Sequence, residues 1–180
     1  MKKEDRYRQE AIKLLKLQKH DTSNILQIAL SYIQLNRNPE AEQYIKAAMK
    51  EMQCKGAILN IVYPRLVLSL LSQMDKAFRL AVPLTVECKS DLKDTLVNED
   101  LLTELFEKVW DAVIASQLRF PREERVINFI IDSDDSFVFF VNDNLKTHIK
   151  TETINELNIL FSKVGYGLVC SDEVLRITKI

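Results

Sequence analysis

Over residues 4–35 apolar side chains recur at helical spacing, with no glycine or proline among them, which predicts one long amphipathic helix. An advance of roughly 100° per residue puts Leu15, Thr22, Leu26, Ala29 and Ile33 on one line. Leu14, Ile25, Ile28, Tyr32 and Leu35 fall on a neighbouring flank, so the apolar surface is broad. His20, Asn24, Gln27, Ser31 and Gln34 share the remaining polar strip, which turns His20 away from the core. Asn36-Arg37-Asn38-Pro39 stops the helix. Asn38 suits the cap and Pro39 the first turn of a second helix over residues 39–53. Its apolar face is Ala41, Tyr44, Ile45, Ala48, Met49 and Met52. So short a loop predicts an antiparallel helical hairpin.

A lone hairpin does not bury so wide a face. Pairing with a second copy in a four-helix bundle does, and a homodimer is expected on that ground. The other way to cover the face is to pack the hairpin on the rest of its own chain.

Lys55-Gly56 marks a break, and the chain is divided there into residues 1–56 and 57–180. A third helix is predicted over 65–81, with Leu66, Leu70, Met74, Ala77 and Phe78 on one face. The period then changes. Pro83-Leu84-Thr85-Val86-Glu87-Cys88 alternates like a strand, and residues 90–100 form a polar loop. A helix follows over 100–118, with Leu101, Leu102, Leu105, Val109, Ala112 and Val113 inward. Strands are predicted at 125–132 and 136–141, joined by Asp132-Ser133-Asp134-Asp135. A helix capped by Thr151 covers 151–162, and two last strands cover 166–170 and 174–179. The fold class is therefore α+β: a helical hairpin followed by a sandwich of about five strands and three helices.

Composition narrows the field. Hydrophobic content of 47% and charged content of 28% are those of an ordinary globular chain. A net charge of −1 gives no reason to expect a nucleic-acid or acidic-lipid partner. The most apolar run, residues 58–71, is broken by Asn60, Pro64 and Arg65. It falls short of the roughly 20 residues that span a bilayer. Cys54, Cys88 and Cys170 have neither metal-ligand spacing nor a disulfide framework and read as buried thiols of a reducing compartment. A cytoplasmic protein is expected.

One of the two histidines, His20, carries the candidate chemistry. By position alone, a single helical histidine is most often a solvated surface residue. A histidine that accepts a phosphoryl group needs a neutral ring nitrogen open to solvent and neighbours that hold the ring and its tautomer. Asp21 is adjacent and can orient the ring. Asn24 lies one turn along the same strip and can bond phosphate or partner backbone. Gln27 continues that line, and Lys16 and Lys19 can offset phosphate charge.

The string His20-Asp21-x-x-Asn24-x-Leu26-Gln27, followed by Leu30 and Ile33-Gln34-Leu35, resembles the dimerisation and phosphotransfer hairpin of one branch of bacterial sensor kinases. That branch contains the citrate-type sensor kinases and the sporulation initiation phosphotransferase B family. The stretch from Ala77-Phe78-Arg79 through Pro83 to Val86 is similar to its entry into an ATPase-like domain. By this resemblance His20 matches the phosphorylated histidine, and Asp21 and Asn24 its characteristic neighbours.

The resemblance also implies an ATP site, and here the residues depart from it. The helix expected to carry asparagine has Glu107 and Asp111. Asp111 could ligate Mg²⁺ but adds negative charge beside a triphosphate. In Asn142-Asp143-Asn144-Leu145, Asp143 could match an adenine-reading aspartate, but Leu145 stands where a glycine would let the backbone approach the base. Gly165-Tyr166-Gly167-Leu168 has too little chain after it to complete a phosphate loop and reads as the start of a terminal hairpin.

The resemblance thus implies a histidine phosphotransferase, not an ATP-dependent kinase. It passes a phosphoryl group between response-regulator aspartates through His20, in control of sporulation. It has no cofactor of its own, Mg²⁺ being supplied by the regulator. The partners are response-regulator receiver domains and a second copy of the chain, with no nucleic acid and no membrane. The alternatives are an atypical ATP-binding histidine kinase and a kinase-like adaptor that carries no phosphate. His148 reads as a surface residue, the Asp132–Asp135 run as a turn, and Trp110 and Phe137-Val138-Phe139-Phe140 as core.

Overall fold

In the computed structural model the first predicted helix is α1 (Lys3–Gln34). The described residues are 3–95, 97–142 and 149–180, apart from the side chains of Lys3, Glu4, Arg6, Glu51 and Cys54. α1 ends where its backbone turns left-handed at Asn36, φ 57°. The N–H of Arg37 bonds the Tyr32 carbonyl at 2.9 Å, and that of Asn36 bonds the Ile33 carbonyl at 3.0 Å. This pair closes the last turn in a Schellman motif, at a position that asparagine tolerates. Arg37 locks the tip: its guanidinium reaches Glu40 at 2.9 Å and lies 5.3 Å from the centre of the Tyr32 ring. The Glu40 carboxyl is held below its ordinary range, first by that hydrogen bond. Tyr32 also meets Tyr44 of the next helix, ring centres 6.2 Å apart.

α2 (Asn38–Ile58) is longer than its sequence predicts. Lys55-Gly56 does not break it, because one interior glycine costs only about 1 kcal/mol and leaves the hydrogen-bond ladder intact. Asn38 is the first helical residue, not the cap: the Arg37 carbonyl takes the bond from Ala41 N–H, at 3.1 Å. Ala29 of α1 and Ala41 of α2 are buried in the hairpin.

The chain divides into two units, Met1–Gly56 and Ala57–Ile180. The second is built on α3 (Pro64–Arg79), β1 (Leu84–Cys88), α4 (Glu99–Gln117), a short 3-10 turn (Arg122–Glu124), β2 (Ile127–Ile131), β3 (Phe137–Val141), α5 (Thr151–Ser162), β4 (Tyr166–Cys170) and β5 (Val174–Lys179). The sheet order is β1-β2-β3-β5-β4, with β1 parallel to β2 and the remaining pairs antiparallel.

Period-two alternation in the strands sends Ile127, Phe129, Ile131, Phe137, Phe139, Leu175 and Ile177 into the core. The helices answer with Leu66, Leu70, Leu102, Phe106, Trp110 and Phe161. Trp110 packs edge-on to Phe129 and Phe139 at 5.0 and 4.8 Å, so these aromatic residues are core, as their pattern predicts. Asn98 caps α4 by accepting from Leu101 N–H at 3.1 Å.

Other local expectations are corrected. Phe78 is 82% exposed instead of inward. It follows Ala77 by one residue, and so is turned roughly 100° away from it around the helix. Thr151 is the first residue of α5 and not its cap, since the Lys150 carbonyl receives Ile154 N–H at 3.1 Å. Cys88 and Cys170 are half-buried instead of buried. Burial pushes the Cys88 thiol up.

Candidate functional site

His20 lies in the middle of α1 and is exposed, with 71% of its side chain open to solvent. The helical period decides this. The residues of α1 that are buried or half-buried, among them Leu14, Ile25, Ala29 and Tyr32, repeat on another face. Lys16, Lys19, Asp21, Asn24, Gln27 and Ser31 are exposed as well. Asn24 Nδ2 lies 3.2 Å from His20 Nδ1. Asp21 Oδ1 lies 3.6 Å from the same nitrogen, within ion-pair reach but long for a hydrogen bond. His20, Asp21 and Asn24 are thus brought together, and both neighbours address Nδ1. Nε2 has no protein partner among the described residues.

Lys16 and His20 line a shallow open depression along α1 with Gln9, Ile12, Lys13 and Leu17. Lys19 and Gln27 do not line it. Gln9 and Lys13 escape a reading that moves outward from His20 only as far as Lys16. The signal for them is the i, i+3, i+4, i+7 ladder 9-12-13-16-20.

A second unread signal is charge. From Thr22 to Asn36 the chain carries no charged residue, whereas Lys13, Lys16 and Lys19 precede His20. His20 stands near the boundary between a charged and an uncharged half of α1. The uncharged half exposes Leu26 (65%), Ile28, Leu30 and Ile33 (50%), and Leu35 just after it is exposed too. α2 exposes Ile45, Met49 and Met52. Large apolar side chains are thus exposed along both helices of the hairpin.

In the second unit, Asp111 is exposed and paired with Lys76 Nζ at 2.5 Å. The half-buried Glu107 receives the Ser69 hydroxyl at 3.4 Å, and Arg65 pairs with Asp100. Three α3 side chains thus engage carboxylates along one stripe of α4. Gly165, φ 78°, ends the turn after α5, and Tyr166 opens β4, so Gly165 and Gly167 start the terminal hairpin. Asp143, Leu145 and His148 lie outside the described residues.

Asp132, Asp134 and Asp135 form the β2–β3 turn. Asp132 accepts from Ser133 N–H at 2.9 Å and Asp134 from Ser136 N–H at 3.0 Å. The hydrogen bonds from Ser136 hold the Asp134 carboxyl below its usual range. Asp135, left-handed at φ 60°, accepts the hydroxyls of Ser90 and Thr95 and so fastens the β1–α4 loop. Among the described residues no three His, Cys, Asp or Glu side chains converge as a metal site. No helix there is long and apolar enough to cross a membrane.

Residues 1–61 match the family model of the Sensor_kinase_SpoOB-type, alpha-helical domain. The matched stretch is the hairpin, which is therefore similar to a domain of that sensor-kinase type. The chain is similar in structure to the cytoplasmic segment of histidine kinase QseC, at 12% identity over 64% of this chain and 72% of that one, TM-score 0.46. It is similar also to the Erythrobacter litoralis EL346 blue-light activated histidine kinase, at 13% identity and TM-score 0.34. That match takes in 93% of this chain and 58% of that one. No curated protein matches.

Proposed function

We propose that the chain is a histidine phosphotransferase of a two-component phosphorelay and that His20 is the residue that carries the phosphoryl group. One observation supports this above the rest: within a SpoOB-type hairpin, His20 is exposed with its Nδ1 side attended by Asn24 and Asp21 and its Nε2 side open. In the transfer, the lone pair of Nε2 attacks the phosphorus of an aspartyl phosphate on a receiver domain. The P–O bond to the aspartate breaks, its carboxylate leaves with the electron pair, and the ring carries the phosphoryl group on Nε2 with a proton on Nδ1. Asp21 offsets the positive charge that develops on the ring. The reverse step hands the group to the aspartate of a second receiver. Mg²⁺ and the acyl phosphate belong to the receiver, and this chain contributes nucleophile, position and docking surface.

Lys16 and Lys19, with Lys13, supply positive charge on the N-terminal side of His20, and Gln27 supplies neutral hydrogen-bonding groups on the other. The exposed apolar residues of α1 and α2 pair two hairpins into a four-helix bundle, so the working form is a cytoplasmic homodimer. The second unit acts as a kinase-like module without ATP chemistry. The pairing of Asp111 with Lys76 and of Glu107 with Ser69 supports this, because both carboxylates are already engaged by α3. Sporulation is the setting that the family resemblance favours.

The test is to mix the protein with a phosphorylated receiver and follow acid-labile, base-stable label. Label is expected on the wild type and absent from His20→Gln, whose circular dichroism should stay that of the wild type because the side chain is exposed. Label that persists in His20→Gln rejects His20. Autophosphorylation from Mg-ATP alone rejects the relay in favour of a kinase.

A further inference from the structure

The sheet of the second unit has two unlike faces. One belongs to the core: Val86, Phe129, Phe137, Phe139 and Leu175 form a single cluster with side chains of α3, α4 and α5. The alternate residues of the strands point the other way and lie outside that cluster. A sheet with one wet face turns polar residues toward it. Here β3 reads Phe-Val-Phe-Phe-Val, apolar on both faces, which is the pattern of a strand covered twice. Val138, at the middle of the outer face, is 1% exposed without belonging to the core.

The strand registers align one row across this outer face. Glu87 of β1 stands beside Ile130 of β2, Ile130 beside Val138 of β3, and Val138 beside Arg176 of β5. In order the row is acid, apolar, apolar, base. Strands lie about 4.8 Å apart, so the two charges stand roughly 14 Å from each other and do not pair within one chain. Both side chains are exposed. Lys89 Nζ is 3.6 Å from Glu87 Oε1, long for a hydrogen bond, and Asp134 lies near Arg176.

Such a row is complementary to itself. A second copy is turned by half a rotation about an axis parallel to the strands and midway between β2 and β3, and laid face to face. Glu87 then stands opposite Arg176 of the second copy and Ile130 opposite its Val138, on both sides of the axis. An axis across the strands would instead set Glu87 on Glu87 and Arg176 on Arg176, which like charges oppose. Packed sheets lie about 10 Å apart, a gap that a glutamate and an arginine bridge from opposite sides.

We infer that the outer sheet face is an interface between two copies of this chain, packed as an aligned sandwich. The face is small. Five strands of about five residues span roughly 24 by 17 Å, short of the roughly 800 Å² per partner of a stable interface. It therefore closes only between second units that paired hairpins already hold at high local concentration. The inference rests on the hairpin dimer of the reading above and not on phosphate transfer by His20, so either can fail alone.

The experiment uses the full chain carrying Arg176→Lys, mixed as nitrogen-14 and nitrogen-15 forms. A carbodiimide joins carboxylate to amine with no spacer. Mass spectrometry should find positions 87 and 176 linked between chains of different isotope. The link should be lost when Glu87→Gln is added, and lost when Leu26→Glu with Ile33→Glu separates the hairpins. Circular dichroism should show each variant folded, since all the substituted side chains are exposed.

A sedimenting dimer that never forms the link overturns the sheet contact and leaves hairpin pairing standing. Position 176 linked equally to other carboxylates of the second chain overturns it as well. A monomeric protein overturns it together with the hairpin dimer.

Discussion

Lys76 Nζ lies 2.5 Å from Asp111 Oδ1 and joins α3 to α4. The pair is surface-exposed on both sides, so its worth is small: Lys76→Ala should cost less than about 1 kcal/mol in denaturant unfolding. Its larger consequence concerns nucleotide. A ligand at a hundred times its dissociation constant stabilises the folded state by about 2.7 kcal/mol. Millimolar Mg-ATP is expected to leave the thermal midpoint unchanged in the wild type and in Lys76→Ala. A clear rise in the wild type would show a working nucleotide site.

Leu26 and Ile33 lie on the exposed apolar line of α1. In a four-helix bundle both become core, and two charges there leave buried ions unpaired. Leu26→Glu with Ile33→Glu is expected to give a monomer by analytical ultracentrifugation, where the wild type sediments as a dimer. A monomeric wild type would mean that this face is covered in some other way.

Ala81 and Gly165 test the backbone. Ala81 closes the Schellman turn of α3 at φ 52°, with Val82 N–H on the Ala77 carbonyl at 2.9 Å. A β-carbon in the left-handed region costs roughly 1–2 kcal/mol, less with compensation. Ala81→Gly should therefore be neutral to stabilising, and Gly165→Ala destabilising by about 1 kcal/mol. Urea midpoints that move in the opposite directions would contradict these backbone angles.

Tyr166 provides a pH dependence. Its hydroxyl is buried and makes no hydrogen bond of ordinary geometry among the described residues. Burial is the first cause that pushes its pKa up to about 12; the nearby Thr95 opposes this. A folded pKa above the unfolded one means stability that is complete below the unfolded value and lost as pH rises through the folded value. Unfolding free energy should thus hold to about pH 10 and fall as pH approaches 12. Tyr166→Phe should flatten that decline. Tyrosinate absorbance against pH checks the assignment.

The helical strip of His20, Asn24, Gln27, Ser31 and Gln34 is legible in the sequence because a period of 3.6 fixes azimuth within one element. The strands are legible because alternation fixes which of their residues point inward. Phe78 is not: its azimuth, one step past Ala77, is readable, but periodicity alone does not say how far round α3 the covering layer reaches. Nor is the continuity of α2 through Gly56, since one glycine weakens a helix without ending it.

For the hairpin, then, the chain alone determined which residues share a face with His20, because helical geometry is local. Tertiary structure decided that α3 engages Glu107 and Asp111 on α4, because partners more than thirty positions apart meet only when the core has formed. Side-chain geometry decided that Asn24 and Asp21 both turn to Nδ1 of His20, since spacing gives a residue's azimuth but not its rotamer.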